Sequence, residues 1–392
     1  MVEALLRPSW VEIDLDAVRA NVALLRRVAA PAALCAVVKA DAYGHGAVPV
    51  ARAAIGAGAA GLAVALVDEG LELRRHGVAA PVLVLSEPVG AEAAEAVATG
   101  GLTATVASFS GAGVLAAAAR RVGTRVPVHV KVDTGMHRLG VAPEAAASLV
   151  EAVLAEPALR LEAIWTHLAV ADGTAGEDRS FTAAQLERFD KALAGLPARP
   201  SLRHAANTAG TLAWPEARYD MVRCGIGIYG VPPSAAMAAA PDAPAPLGRL
   251  RAALSLKARV SAVRELAAGD RPSYGRLRPL VERSVVATVP VGYADGVARA
   301  LFPGGGEVLA GGVRRPLAGS VSMDQLVVDC GPGSTVAPGD EVVLLGAQGD
   351  EQVTAAEWAL RTGTIAYEVL CGISPRVRRV YTGEGPSGRD WA

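Results

Sequence analysis

The chain has 392 residues, a formal net charge of −1, 52 % hydrophobic residues and 20 % charged ones. That balance excludes a disordered chain, which lacks the apolar side chains to bury. It also argues against a nucleic-acid partner, which would need a basic stripe. The length exceeds what one core usually serves and suits a barrel of about 250 residues followed by a smaller domain.

In chain order, short β-rich runs fall near Leu34–Lys39, Leu62–Leu66, Val82–Ser86, Leu102–Val106, Val126–Val132, Glu162–Leu168, Leu202–Ala206 and Met221–Cys224. Alanine-rich segments with helical spacing and scattered charges lie between them, such as Asp68–His76 and Gln185–Leu193. Eight strands alternating with helices predict an α/β fold, a (β/α)8 TIM-like barrel over residues 1–240, with a doubly wound sheet as the alternative. The proline-flanked stretch Val231–Gly248 reads as an interdomain linker. Beyond it, short strands at Ser284–Val291, Val308–Leu309 and Gln325–Asp329 sit between Gly/Pro turns. These predict a mainly β C-terminal domain over 241–392, with the extreme N-terminal residues packing against it. Thr354-Ala-Ala-Glu357 is a capping box opening one helix there.

Cys35, Cys224, Cys330 and Cys371 form no CxxC pair. A reduced, cytoplasmic chain is expected, not a disulfide scaffold or zinc ribbon. The start, MVEALLRPSWVEIDLD, carries Glu3, Arg7 and Glu12 and has no apolar core of a signal peptide. The longest uncharged apolar run, between Arg52 and Asp68, is glycine-interrupted and short for a bilayer, so no membrane partner is expected.

The stretch CAVVKADAYGHG, Cys35 to Gly46, drives a lysine to the end of an apolar strand and follows it with a glycine-hinged polar loop. In a barrel of this kind the carboxyl ends of the strands carry the active site. Lys39 falls at such an end, as do Arg138 in KVDTGMHRLG, His167, Asn207 and Thr208 in HAANTAG, and Arg223, Gly225 and Ile226 in RCGIG. The loops after strands seven and eight offer small residues, a hydroxyl and backbone N–H groups, which suit a phosphate. A lysine opposite a phosphate cradle points to a phosphorylated aldehyde held as an imine, and pyridoxal 5'-phosphate fits. GIGIYG, Gly225 to Gly230, matches a dinucleotide-loop pattern but runs into Val-Pro-Pro where a long helix is required. His129, Lys131 and Asp133 alternate on one strand face. That pattern suits a metal site poorly, since a lysine separates the ligands, and Lys131 with Asp133 reads instead as a buried ion pair.

Taken together, AVVKADAYGHGA, KVDTGMHRLG, THLAVAD, VRCGIGIYG, SYG, VGYADG, SMDQLVVD and GTIAYE occur in the order seen in alanine racemases. From about Val11 to Tyr381 the chain resembles that family. The resemblance implies a pyridoxal-phosphate barrel, a C-terminal β domain, and a homodimer with shared active sites. It implies an isomerase that interconverts L- and D-alanine and supplies D-alanine for peptidoglycan. By motif, Lys39 would be the imine lysine and one acid/base group. Tyr274, reaching in from the second subunit, would be the other. His167 would bond Tyr274, with Arg223 behind it and facing the pyridine nitrogen. Arg138 would contact the cofactor's phenolic oxygen and the substrate carboxylate. Tyr43, Thr208, Gly225, Ile226 and Tyr367 would hold the phosphate, with Asn207 beside them. Met323 would offer its backbone N–H to the substrate from the partner subunit, near Asp324, and Tyr293 would line the entrance. Lys131 matches a position often N-carboxylated, where the new charge orients Arg138. No metal is implied.

The chain departs from the family pattern at Ser322, Cys224, Thr208, Ala366 and His137, none of which removes an expected acid, base or phosphate donor. Three other readings are a racemase of broader amino-acid range, a noncatalytic pyridoxal-phosphate carrier, and a metal hydrolase built on His129, His167 and His204.

Overall fold

The computed structural model describes residues 7–383; Glu3 and the outermost ends of both predicted domains, residues 1–6 and 384–392, lie outside the described residues. The chain divides into two compact units, one of residues 17–42 and 46–251, the other of residues 7–16, 43–45 and 252–383.

After a first strand β1 (Ser9–Asp14), the first unit carries eight strands in parallel: β2 (Ala33–Val37), β3 (Gly61–Val64), β4 (Val82–Val84), β5 (Thr103–Val106), β6 (Val126–Lys131), β7 (Leu159–Trp165), β8 (Leu202–His204) and β9 (Met221–Cys224). They run in the order β8-β7-β6-β5-β4-β3-β2-β9. Bonds between β8 and β9 close the ring: Asp220 N donates to Arg203 O at 3.0 Å and Arg223 N to Ala206 O at 2.9 Å. This is the expected (β/α)8 barrel. Its strands are short and buried on both faces, so they read as apolar runs with no alternation. Alanine-rich helices cover the outside. Helix Phe109–Val122, for example, buries Ala112, Leu115, Ala116, Ala118 and Ala119 on one stripe, with Ser108 as its N-cap and Gly123 as its left-handed C-cap.

Three boundaries differ from the sequence reading. β7 spans Leu159–Trp165, three residues earlier than expected, because its ladder with β6 begins at Val126↔Leu159. His167 therefore lies in the loop after the strand. β2 ends at Val37, so Lys39 belongs to the turn that follows. Val231–Gly248 is not a bare linker. Ser234 caps a short helix, Ala235–Ala239, which buries Met237, and a 3-10 turn spans Ala245–Arg249.

In the second unit, β1 lies between antiparallel β10 (Leu254–Arg259) and parallel β18 (Arg378–Thr382). The sheet continues through β16 (Glu341–Gln348) to β13 (Glu307–Ala310) and β14 (Val313–Pro316), with β17 (Glu351–Val353) also on β16. A second, three-stranded sheet orders β11 (Ala262–Leu266), β12 (Ser284–Val289) and β15 (Leu326–Asp329). The expected helix at Thr354 is present, with the Thr354 hydroxyl accepting from Glu357 N at 3.0 Å. A second helix, Ala366–Cys371, was not anticipated.

One buried carboxylate organises the loops of this unit. Asp295 is fully buried and takes both guanidinium ends of Arg7 at 2.6 Å, while also accepting from Gly292 N at 2.9 Å. Burial pushes its carboxyl up, but the Arg7 and Gly292 hydrogen bonds and the nearby Arg7 and Arg376 charges outweigh it and hold the carboxyl below the usual range. A carboxyl lowered on folding stabilises the fold above its unfolded pKa of about 3.9, and that contribution is lost as pH falls through the folded value. Asp295→Asn is expected to cost about 3 kcal/mol at pH 7, the low end of the range for removing one partner of a buried pair, because Arg7 is partly exposed. It should also flatten the acid limb of a stability-versus-pH curve measured by denaturant unfolding, and an acid limb unchanged from the wild type would contradict this role.

Candidate active site

At the carboxyl end of the barrel, β2 and β9 lie side by side, with Cys35 paired to Arg223 and Ala36 to Cys224. The Tyr229 hydroxyl donates to Val37 O at 2.8 Å, and Val38 N donates to Ala63 O at 2.8 Å, so the last turns of β2 are fixed from β3 and from the segment after β9. From Ala40 the backbone changes hand, with φ of 52°, 50°, 52° and 55° at Ala40, Asp41, Ala42 and Tyr43. A left-handed turn of non-glycine residues costs about 1–2 kcal/mol per residue, and strain of this kind is kept where a side chain must be aimed. Here it follows immediately on half-buried Lys39.

Arg223 is 3 % exposed. Its guanidinium donates to His204 Nδ1 at 2.6 Å, Thr166 O at 2.9 Å, Ala205 O at 3.0 Å and His167 Nδ1 at 3.2 Å, and it lies 4.5 Å over the Trp165 ring. Since arginine can only donate, both Nδ1 atoms are acceptors, and each imidazole carries its proton on Nε2. His204 then donates from Nε2 to His129 Nδ1 at 3.0 Å, and His129 Nε2 faces Glu162 at 3.7 Å. Burial, then Arg223 and the neighbouring cations, holds His167 well below the usual imidazole range; burial, then Arg223 and His129, does the same for His204.

Lys131 projects from β6, 4.4 Å over the Trp165 ring. Burial first, then Arg138 and Arg223, brings it down to about 8. It forms no ion pair with Asp133, whose Oδ1 accepts instead from Gly135 N at 2.9 Å and His137 N at 3.0 Å. That carboxylate shapes the loop carrying exposed Arg138. The loop folds back through Val141 N to Lys131 O and Asp133 N to Val141 O, at 2.9 and 2.8 Å. Gly140 is required at its end: φ is 137°, and a Cβ would sit 2.6 Å from Asp133 N.

After β8, Asn207 caps the helix Thr208–Ala213 through its side-chain oxygen, which accepts from Gly210 N at 2.9 Å. The Thr208 hydroxyl accepts from Gly225 N at 3.1 Å and Gly227 N at 3.4 Å, bringing the two loops together beside Ile226. A Cβ on Gly227 would stand 2.6 Å from Thr208 Cγ2, so this approach needs a glycine.

The remaining expected residues belong to the second unit. Tyr43 and Tyr367 face each other with ring centroids 5.9 Å apart. Burial, then Tyr367 and Cys371, pushes the Tyr43 phenol up. Tyr274 is 71 % exposed, on a turn with positive φ at Ser273, Gly275 and Arg276 that is tied down by the Ser273 hydroxyl donating to Ser320 O at 2.5 Å. Tyr293 and Met323 are exposed on two loops joined by Tyr293 N to Ser322 O at 2.9 Å and Ala294 N to Met323 O at 3.0 Å, and Asp324 accepts from Arg376 at 2.8 Å. The barrel unit thus assembles Lys39, Lys131, Arg138, His167, Asn207, Thr208, Arg223, Gly225 and Ile226. Among the described residues there is no group of three or more His, Cys, Asp or Glu arranged to hold a metal.

The sequence reading did not assign Trp165, Tyr229 or Glu69 to the site, and met His129 and His204 only as metal ligands. The alternation of His129 and Lys131 on β6 was the available signal. What it lacked was the register that sets His204 across from them.

The fold is a (β/α)8 barrel joined to a mainly β unit, with a lysine in the turn after β2 and a buried arginine on the neighbouring strand β9. Family profiles for the alanine racemase N-terminal domain and C-terminal domain match residues 13–233 and 253–381. The chain is 48 % identical to an alanine racemase of Symbiobacterium thermophilum over 97 % of its length and 98 % of that protein's. It is 43 % identical to one of Carboxydothermus hydrogenoformans, over 96 % of this chain and 100 % of that one. The crystal structure of alanine racemase from D-cycloserine-producing Streptomyces lavendulae superimposes with a TM-score of 0.88 at 40 % identity, covering 97 % and 98 % of the two chains. The chain belongs to the alanine racemase family, a family of isomerases. No helix among the described residues is long and apolar enough to cross a membrane.

Because unfolded histidine titrates near 6.5 and these two do not, the unfolded state binds more protons as pH falls past that point. Their contribution to stability is full above about pH 6.5 and declines below it. In nitrogen-15 imidazole spectra of the cofactor-free chain, His167 and His204 are expected to stay neutral, protonated on Nε2, from pH 8 down to pH 5.5. Titration of either near 6.5 would contradict the bonding pattern.

Proposed function

We propose that the chain racemises alanine with pyridoxal 5'-phosphate bound at Lys39, acting as a cytoplasmic homodimer that supplies D-alanine for peptidoglycan. The observation that carries the reading is the charge inventory at one end of one barrel. Lys39, Lys131, Arg138 and Arg223 converge on loops with a hydroxyl, backbone amides and a close glycine approach at Gly227. Such a donor set suits a phosphorylated, carboxylate-bearing ligand.

When bound, the cofactor withdraws electrons from the amino acid joined to it and so acidifies the Cα–H. Two proton carriers are needed because the proton leaves one face of Cα and returns to the other. Lys39 Nζ serves one face, and the Oη of Tyr274 of the partner subunit serves the other. His167 donates from Nε2 toward that phenol, since its Nδ1 accepts from Arg223. Burial pulls Arg223 down to about 10, which still leaves it protonated at neutral pH. Arg223 would face the ring nitrogen and, being only a donor, would leave it without a proton, which would make the bound cofactor a weaker electron sink. Thr208, Gly225, Ile226, Tyr43 and Tyr367 bind the phosphate, with Asn207 fixing the Thr208 loop. Arg138 and the backbone N–H of Met323 of the partner subunit would bind the substrate carboxylate, with Asp324 of the partner subunit beside it, and Tyr293 would line the entrance.

Borohydride treatment of the cofactor-loaded chain followed by peptide mapping is expected to place the reduced adduct on Lys39. An adduct on another lysine would overturn the assignment. Lys39→Ala and Tyr274→Phe should each lower kcat by about 10²–10⁴-fold, the usual weight of one acid/base group. If sites are shared, an equal mixture of the two variants should regain about a quarter of wild-type activity at full exchange, since half of the dimers then hold one intact site of two. No recovery despite demonstrated exchange would refute shared sites.

We further propose that Lys131 is N-carboxylated in the active protein. At about 8, part of it is neutral near physiological pH, the form that adds carbon dioxide, and the product is an anion beside Arg138 and Arg223. Carbon-13 bicarbonate is expected to give a carbamate resonance that Lys131→Ala abolishes. Retention of that resonance in the variant would place it elsewhere.

A further inference from the structure

We propose that Glu69 is a positioning residue for Lys39: its carboxylate holds the backbone amide immediately after the lysine and so sets the direction of its side chain. The inference rests on the reading of Lys39 as the cofactor-bearing residue.

Lys39 lies beyond the last rung of β2, where the ladder no longer fixes the chain. On its N-terminal side Val38 N donates to Ala63 O at 2.8 Å. On its C-terminal side Ala40 N donates to Glu69 Oε1 at 2.6 Å. The residue before Lys39 is thus anchored to β3 through its N–H, and the peptide plane that follows Lys39 is anchored to the helix Val67–Arg75 after β3. The second carboxylate oxygen, Oε2, accepts from Ala65 N at 2.8 Å and Leu66 N at 3.1 Å. It thereby ties the end of β3 to the start of that helix. The rest of the left-handed turn is closed locally: Ala42 N donates to Val38 O at 2.9 Å, Ala47 N to Asp41 Oδ1 at 2.7 Å, and Gly46 N to Asp41 O at 2.9 Å.

Capping the helix explains only half of what Glu69 does. Leu66, at the N-cap, has no acceptor to offer, so Glu69 at the third helical position serves the free amides through Oε2. Oε1 is then directed to a residue in another element, the one after Lys39. All three partners are N–H donors, so the bridge requires a group that accepts at both ends. Glutamine can serve one end, but turns its NH2 against N–H at the other. Aspartate keeps the charge and both oxygens, but with one methylene less it cannot span from the cap to Ala40.

The test compares Glu69→Gln with Glu72→Gln, a change at an exposed position of the same helix. Three quantities are read: amide exchange of a peptide covering residues 38–42 in the cofactor-free chain, the rate at which added pyridoxal phosphate becomes borohydride-trappable on Lys39, and kcat and KM for alanine. Loss of one hydrogen bond to a charged acceptor should speed exchange in that peptide and slow trapping by about tenfold each. kcat should fall more than KM changes, and Glu72→Gln should behave as wild type. If Glu69→Gln exchanges and traps like Glu72→Gln, the proposal fails. Faster exchange with unchanged trapping and turnover also overturns it, leaving Glu69 a cap only. Should Glu69→Gln fail to fold, Glu69→Asp is expected to give the same pattern. An unprotected Ala40 amide in the wild type sinks the proposal without any variant. Trapping on a different lysine would refute the proposed function, whereas unaltered trapping on Lys39 in Glu69→Gln refutes this inference alone.

Discussion

A guanidinium inside a barrel, touched by no carboxylate among the described residues, is an expensive object, and Arg223 is one. Its hydrogen-bond partners are two imidazoles and two carbonyls, and Trp165 lies beneath it. Such neighbours satisfy its donors without cancelling its charge. Burial is the first cause that keeps His167 and His204 neutral and lowers Lys131, and the Arg223 charge adds to it at all three. A barrel mouth that concentrates positive charge in this way is completed by an anion. A phosphorylated cofactor and a carboxylate substrate fit that demand better than any neutral ligand.

The same charge dictates the direction of the hydrogen bonds around it. Because Arg223 can only donate, His204 must accept on Nδ1 and donate on Nε2, and His129 must then accept in turn. The chain runs from the buried end of β9 across β8 and β6 to Glu162 on β7, where Arg160 is also bound. The polarity of four strands is therefore set from one residue. The stacked Trp165 and His204 rings, 5.4 Å apart, leave the imidazole little freedom to flip and reverse it.

The legible parts of this protein were those coded by contiguous residues. Barrel strands stand out because each is a short apolar run between helical segments, and Lys39, Arg138 and Arg223 stand out because each sits in a distinctive local stretch. The β-rich unit was read less completely. β1 was seen only as an N-terminal segment that might pack with that unit, because its partners β10 and β18 lie hundreds of positions away. β16, the longest strand there, is continuous with β10 and β13 only in three dimensions. Val231–Gly248, read as an interdomain segment, lies largely between the stretches matched by the two family profiles, but its local structure was missed: Ser234 caps a short helix whose Met237 is buried. Within the site, the Glu69 bridge and the His204–His129 contact were hidden because each joins elements through a register that single-strand patterns do not encode.

The cysteines beside Arg223 show how narrowly that charge is preserved. Cys35 is its register partner on β2 and Cys224 its chain neighbour. A thiolate at either position would neutralise the guanidinium and remove the field that the rest of the site responds to. Burial pushes both thiols up to about 12 against the pull of Arg223 itself, so both are protonated near neutral pH. Cys224 is thus electrically silent beside Arg223, a small and mainly apolar group, and the charge at the end of β9 is left to the ligand.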